Sequence, residues 1–255
     1  MKGQSDGISL KSTRKTFNII EQLLELDGGR VSEVATRLNI PKSTAYAHLN
    51  TLHSMGCLVK RGDQYHVGLE FLRIGGQAVA KRTEYWMARD KVKELAARTD
   101  ERAQFTVEEH GKQILLVEEA GEHAVKTDVH VGHTTHLHTT ASGKAILAHL
   151  PTERINDIVE TIGLPKQTEE TICNPDELFE ELKTVRNKGF AHNLGERVEK
   201  QYAVGVPVFG RNDDLLGALS VAGPAYRMRG ERIEKDLPDL LQGMTNELQL
   251  NIIYE

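Results

Sequence analysis

Four histidines at 130, 133, 136 and 138 form an H-x-x-H-x-x-H-x-H run, dense enough for neutral imidazoles to ligate zinc or nickel. The spacing matches no standard site, and neither cysteine nor carboxylate stands at ligand spacing, so ordinary loop and strand histidines are the plainer reading. A metal-binding or metabolite-binding module, or a metal-dependent enzyme built on His130–His138, is the alternative. Ala141-Ser142-Gly143-Lys144 resembles the end of a phosphate loop, but the leading glycine of that motif would have to replace His138. A serine acylase motif would need serine at Ala141. What remains is a small, hydroxyl-bearing segment entering a helix, where backbone N–H groups could cradle a carboxylate or be satisfied by a simple cap. Ser220 and Ala222 alternate on a strand that ends at Gly223-Pro224, leaving room for a ligand or for close packing. Glu108-Glu109 and Glu118-Glu119 lie in strand-like runs that put one carboxylate of each pair toward water. With no nucleophile, base or metal-ligand pattern at recognisable spacing, the chain reads as a non-enzyme without a cofactor.

The elements that must position these segments follow from apolar period and turn residues. Ala103–Glu109 and Gln113–Glu119 flank a His110-Gly111 turn, and Val125–Val131 adds a third run, which together predict an antiparallel meander. Three helices follow, marked by Ala145, Leu147 and Leu150, then Ile155, Ile158 and Ile162, then Leu178, Leu182 and Val185 before Gly189. Tyr202–Phe209 and Leu215–Val221 resume the strands around an Arg211–Asp214 turn, and Ile233, Leu237, Leu240, Met244 and Leu248 mark a last helix. Strands grouped apart from helices predict an α+β body with a largely antiparallel sheet.

The first third has a different pattern. Phe17, Ile20, Leu23 and Leu24 predict a helix from about Thr13 to Leu26, ended by Gly28-Gly29. Ser32 is a candidate N-cap for a short second helix to about Leu38. Pro41 then opens a third helix whose inner face is Ala45, Leu49 and Leu52, and Gly56 ends it. Lys42, Ser43, Tyr46, Ala47 and Asn50 fall on the opposite face, where a helix tip can approach phosphates and base edges. Cys57–Lys60 and Tyr65–Val67 around Arg61-Gly62-Asp63 predict a hairpin with a basic tip. Three helices and a hairpin make a winged helix-turn-helix, with the third helix in the major groove and Lys60 and Arg61 near flanking phosphates. Residues 69 to about 99 read as mostly helical, broken at Gly75-Gly76 and jointed at Thr83-Glu84.

Charge divides the chain at the same place. Residues 1–82 hold 12 Lys+Arg against 7 Asp+Glu, whereas 83–255 hold 20 against 30, so a basic head that suits a polyanion sits on an acidic body. The 255 residues are 39% hydrophobic, 27% charged and 5% aromatic, enough for real cores, and no run approaches the roughly 20 apolar residues of a membrane span. Met1–Asp6 is polar and lacks an apolar secretion signal, so the cytoplasm is the expected compartment. Cys57 and Cys173 are too few and too far apart for a disulfide framework or zinc ribbon.

Three segments resemble the isocitrate lyase regulator (IclR) family of transcription factors: Pro41-Lys42-Ser43-Thr44-Ala45-Tyr46, Leu137-His138-Thr139-Thr140-Ala141-Ser142-Gly143-Lys144-Ala145 and Leu219-Ser220-Val221-Ala222-Gly223-Pro224. The resemblance spans nearly the whole chain. It implies a winged helix-turn-helix DNA-binding domain over residues 1–68, a dimerising linker helix over 69–83, and a GAF-like, profilin-like effector-binding domain over 84–255. The implied partners are a double-stranded DNA operator, a small-molecule effector and further copies of the chain, as a dimer or dimer of dimers.

Carried over by position, the candidate DNA-contacting residues are Ser32, Lys42, Ser43, Thr44, Tyr46, Ala47, Asn50, Lys60 and Arg61. Ala47 stands where relatives often carry arginine, so Asn50 or His48 is the candidate substitute contact. The candidate effector-binding residues are Thr127, Thr135, Ala141, Ser142, Gly143, Asn193, Ala203, Ser220 and Ala222. Asn193 replaces a frequent acidic residue and Ala222 a common serine, while Thr127 and Thr135 replace apolar ones, which points to a polar effector such as a hydroxylated carboxylate.

Overall fold

The computed structural model describes residues 10–125 and 129–254, which divide into two compact units, one up to Lys81 and one from Arg82. The first holds α1 (Lys11–Glu25), α2 (Val31–Arg37), α3 (Lys42–Ser54), the hairpin β1 (Leu58–Arg61) and β2 (Gln64–Val67), and α4 (Glu70–Ala80). Ile19 and Leu23 of α1, Val34 of α2, Leu49 and Leu52 of α3 and Tyr65 of β2 close one small core. The spacing of four between Ala45 and Leu49 and three to Leu52 gives α3 its single buried stripe.

Two local expectations fail here. Ser32 does not cap α2: the helix begins at Val31, and Glu33 Oε2 reaches back to accept the Arg30 N–H at 2.7 Å, which leaves Ser32 exposed in the first turn. Gly75-Gly76 does not break α4, which runs through both; a glycine weakens a helix interior by about 1 kcal/mol without removing a hydrogen bond. None of the α4 residues is buried within the unit.

The second unit is α+β. It comprises α5 (Thr83–Thr99), β3 (Arg102–Glu109), β4 (Lys112–Ala120), β5 (Thr134–His136), α6 (Ala141–Leu147), α7 (Thr152–Thr161), α8 (Pro175–Lys188), β6 (Ala191–Leu194), β7 (Gln201–Phe209), β8 (Leu215–Pro224) and α9 (Leu237–Tyr254). The six strands form one antiparallel sheet in the order β5-β4-β3-β8-β7-β6. The third strand is not the predicted 125–131 run. The edge of β4 is taken instead by 132–136, where Leu115 exchanges backbone hydrogen bonds with Gly132 and His133, and Gln113 pairs with Thr135. In 125–131 the residues lying within the described part carry no strand.

Strand alternation sorts the body into two layers. Phe105, Leu219, Val221, Val204 and Val206 face Val92 and Leu95 of α5 and Leu237, Leu241 and Leu248 of α9 in one core. The other face of the sheet carries Ala218, packed with Ala145, Ile146, Leu178 and Leu182 of α6 and α8.

Candidate functional site

In the first unit, α3 presents Lys42, Ser43, Tyr46, Ala47 and Asn50 to solvent, with Thr44 half-buried. Ser32, Lys42, Tyr46 and Lys60 meet around one open groove, so the starts of α2 and α3 and the hairpin converge there. Arg61 is exposed where the hairpin closes on Gln64, away from that lining. Arg30 is the groove residue that sequence reading missed; its Nε lies 2.7 Å from Asp63 Oδ2 across the hairpin tip. Lys60 Nζ sits 5.4 Å from the centre of the Tyr65 ring, which holds its ammonium beside the groove. His48 is half-buried, its Nδ1 2.9 Å from Thr16 Oγ1 of α1, whereas Asn50 is exposed.

In the second unit, the inner face of the sheet opens into a cavity of about 190 Å³. Its floor is set by register. Arg102 of β3 pairs with Ala222 of β8, Ala222 with Ala203 of β7, and Ala203 with Asn193 of β6, so one row crosses four strands with small residues in the middle. The next row on that face is Gln104, Ser220 and Gly205. Directly paired residues project to the same side, so two positions occupied by alanine and one by serine create the space. Gly205 works differently: a Cβ there would lie 2.5 Å from Ala141 C and Ser142 N, so glycine lets the start of α6 press onto β7.

Of the candidate effector residues, Ala141, Ser142, Asn193, Ala203, Ser220 and Ala222 line this cavity. Thr135 and Gly143 do not, and Thr127 lies outside the described residues. The Gly143 N–H is no free cradle: it donates to Thr140 Oγ1 at 2.9 Å, and a Cβ at Gly143 would strike the Leu137 carbonyl oxygen at 2.1 Å, so close packing accounts for this glycine. Thr140 Oγ1 in turn donates to Gln113 Oε1, and Gln113 Nε2 donates to Ser142 Oγ at 3.0 Å. Asn193 is held by a 2.5 Å donation to the Thr139 carbonyl and a 3.0 Å acceptance from the Gly195 N–H.

The cavity also holds two arginines that sequence reading missed, Arg102 and Arg197. Arg102 could have been found, because Arg102 and Gln104 are the polar alternates of β3; Arg197 gave no signal, because it stands on the connection between β6 and β7. Arg102 donates to the Val125 carbonyl and its Nε is 3.9 Å from Glu118 Oε2. Arg197 contacts His133 Nε2 at 3.2 Å. Burial and then the neighbouring Arg102 hold the Arg197 guanidinium below its ordinary range, against the pull of Glu118. Burial and then Arg197 likewise lower His133, which stays neutral and able to accept.

The histidine run does not converge. His130 and His133 stack edge to face at 5.8 Å, His136 and His138 lie 5.8 Å apart as a second pair, and His138 Nε2 is 3.3 Å from the Pro165 carbonyl. Among the described residues no group of three or more His, Cys, Asp or Glu is placed to hold a metal ion.

Residues 77–248 match the family of the bacterial transcriptional regulator IclR C-terminal domain, and residues 12–62 match the IclR helix-turn-helix domain. The chain belongs to the IclR family. A probable HTH-type transcriptional regulator, ArcR, of Halobacterium salinarum is 31% identical over 247 residues, which is 95% of this chain and 94% of the relative. The crystal structure of the Thermotoga maritima IclR superposes with a TM-score of 0.79 at 25% identity, covering 96% of this chain and all of that one. An IclR homologue from Microbacterium hydrocarbonoxydans complexed with 4-hydroxybenzoate shares the fold, with a TM-score of 0.76 at 20% identity over 93% of this chain and 98% of that one. The IclR-family relatives are transcription regulators, and the chain is a transcriptional regulator with a DNA-binding helix-turn-helix and an IclR effector-binding domain. Among the described residues no helix is long and apolar enough to cross a membrane.

Proposed function

We propose that this regulator binds a specific duplex operator through the groove of its first unit, and that a small carboxylate or hydroxylated acid in the cavity of the second unit sets the strength of that binding. The observation that carries the reading is the cavity itself, enclosed on the sheet face by small residues and lined by Arg102, Arg197 and uncharged hydrogen-bonding groups. Exposed Lys42, Ser43, Tyr46, Ala47 and Asn50 supply the face for base edges and phosphates, while Ser32, Lys60, Arg61 and half-buried Thr44 flank it. Self-association as a dimer or dimer of dimers is supported by α4, where Leu72 and Ile74 are exposed and no residue is buried, because an apolar helix face left in water favours a partner. A two-fold copy would present two winged helices to a palindromic site.

The effector acts only if it binds the operator-competent and operator-incompetent arrangements unequally. A 10–100-fold change in operator affinity corresponds to roughly 1.4–2.8 kcal/mol of coupling, and the operator must change effector affinity by the same factor. Retention of duplexes from the gene's own promoter neighbourhood, titrated against salt with and without candidate acids, tests the reading. Steep salt dependence and an acid-dependent midpoint are expected; a chain that ignores these duplexes at low ionic strength, whatever compound is present, overturns it.

A further inference from the structure

We propose that Arg30 contacts a backbone phosphate of the operator and that Asp63 holds its place in the free protein: on binding, the phosphate replaces the Asp63 carboxylate on the Arg30 guanidinium. This rests on the operator reading above and adds a residue and an exchange step that the reading does not contain.

The charges of the groove carry the argument. Among the described residues its lining holds three cations, Arg30, Lys42 and Lys60, and one carboxylate, Asp63. A carboxylate in such a lining works against phosphate, so its role belongs to the free protein. Asp63 Oδ2 lies 2.7 Å from Arg30 Nε, with the two side chains 68% and 55% exposed. An ion pair that open to water adds little stability, because hydration and salt compete for both charges. What it does is keep the guanidinium at the groove wall.

The backbone at Arg30 does not depend on that pair. Gly29 exchanges two 2.9 Å backbone hydrogen bonds with Tyr65 of β2, and the Arg30 N–H donates to Glu33 Oε2 at 2.7 Å. The Arg30 carbonyl accepts from the N–H groups of Glu33 and Val34, both at 3.1 Å. β1 and β2 pair in register from Leu58 and Val67 to Arg61 and Gln64 through their own backbones. The main chain of Arg30 is therefore clamped between the hairpin and α2 whatever its side chain touches, and the side chain can change partner.

A guanidinium carries five N–H donors in a planar fork and meets a phosphate through two parallel hydrogen bonds. A phosphate approaching Arg30 also meets the like charge of Asp63, and the exposed carboxylate has water to turn into. One ion pair within the protein gives way to one with the duplex, and a counter-ion leaves the DNA.

Retention of the promoter duplexes by the full-length protein, titrated against salt, tests the exchange. Arg30→Gln should weaken retention roughly 5-fold at about 0.15 M salt and reduce the log–log slope by about 0.9. Arg30→Lys should keep part of the affinity. Asp63→Asn should strengthen retention, and by more in the native background than beside Arg30→Gln, since only the native chain has a pair to break. Replacing duplex phosphates one at a time by uncharged methylphosphonate should find a position that weakens the native protein and leaves Arg30→Gln unaffected. A cooperative melt shows that each variant is folded. Weakening by both Arg30→Gln and Asp63→Asn would make the pair a brace for the hairpin, and equal gains from Asp63→Asn in both backgrounds would make it bulk charge. Either result, an unaffected Arg30→Gln, or no phosphate position read by Arg30 overturns the exchange. Each of these leaves operator binding standing, whereas a native protein that retains no duplex at low ionic strength removes both.

Discussion

Lys144 Nζ lies 2.7 Å from Glu196 Oε1, inside the protein, with Glu181 Oε1 2.8 Å away on its other side. The lysine is 2% exposed on a helix whose every residue is buried, and Glu196 directly precedes Arg197. Glu196 also accepts the Leu194 N–H, and its carbonyl accepts from Thr171 Oγ1 at 2.6 Å. The ion triad thus pins the connection that follows Asn193 and β6 and brings Arg197 to the cavity.

Removing one member of such a buried group strands the others. Lys144→Met is expected to cost about 3–5 kcal/mol in urea unfolding, and the double variant Lys144→Met with Glu196→Gln should recover part of that loss. Recovery would show as a double-variant loss smaller than the sum of the single losses; additive losses would show that the two side chains act independently.

Acid stability follows from His138. Burial lowers its pKa from 6.5 to about 4 in the folded protein. The unfolded chain therefore binds more protons between these values, so stability is complete above pH 6.5 and falls as the pH drops toward 4. His133 and His136 are lowered too and add in the same direction. Chemical denaturation from pH 7 to 4 should show this loss, and His138→Gln should flatten it.

Close backbone approach makes Gly205 sensitive. Gly205→Ala places a methyl group 2.5 Å from Ala141 C, backbone that cannot rotate aside, and should destabilise the second unit by about 1–3 kcal/mol. Because the displaced segment carries Ala141 and Ser142, acid binding measured by calorimetry should weaken as well.

Phosphate contacts by the groove lysines are read from salt dependence. Lys42→Gln and Lys60→Gln should each weaken duplex retention across all sequences and reduce the log–log salt slope by about 0.9. Asp63→Asn removes a negative charge from the same groove and should strengthen retention, while changing the melting free energy by no more than about 1 kcal/mol, since its pair with Arg30 is exposed.

From the order of residues alone came whatever depends on local period and composition: the stripe Ala45, Leu49 and Leu52 on the third helix, the hairpin beyond Gly56, the basic head on an acidic body, and the family likeness of three segments. The likeness also reached six residues of the cavity lining. Tertiary structure decided the rest, because it turned on neighbours distant in the chain. Which segment paired with β4 turned on which residues reached its one open row of backbone groups, and 132–136 took that edge. The cap of α2 went to Glu33 in place of Ser32. The row Arg102–Ala222–Ala203–Asn193 exists only through the register of four strands, and Arg197 enters that space from a connection with no period of its own, whose neighbouring Glu196 is held by a lysine 52 residues before it. Charge in a cavity is a property of what folding brings together, which no single stretch of sequence encodes.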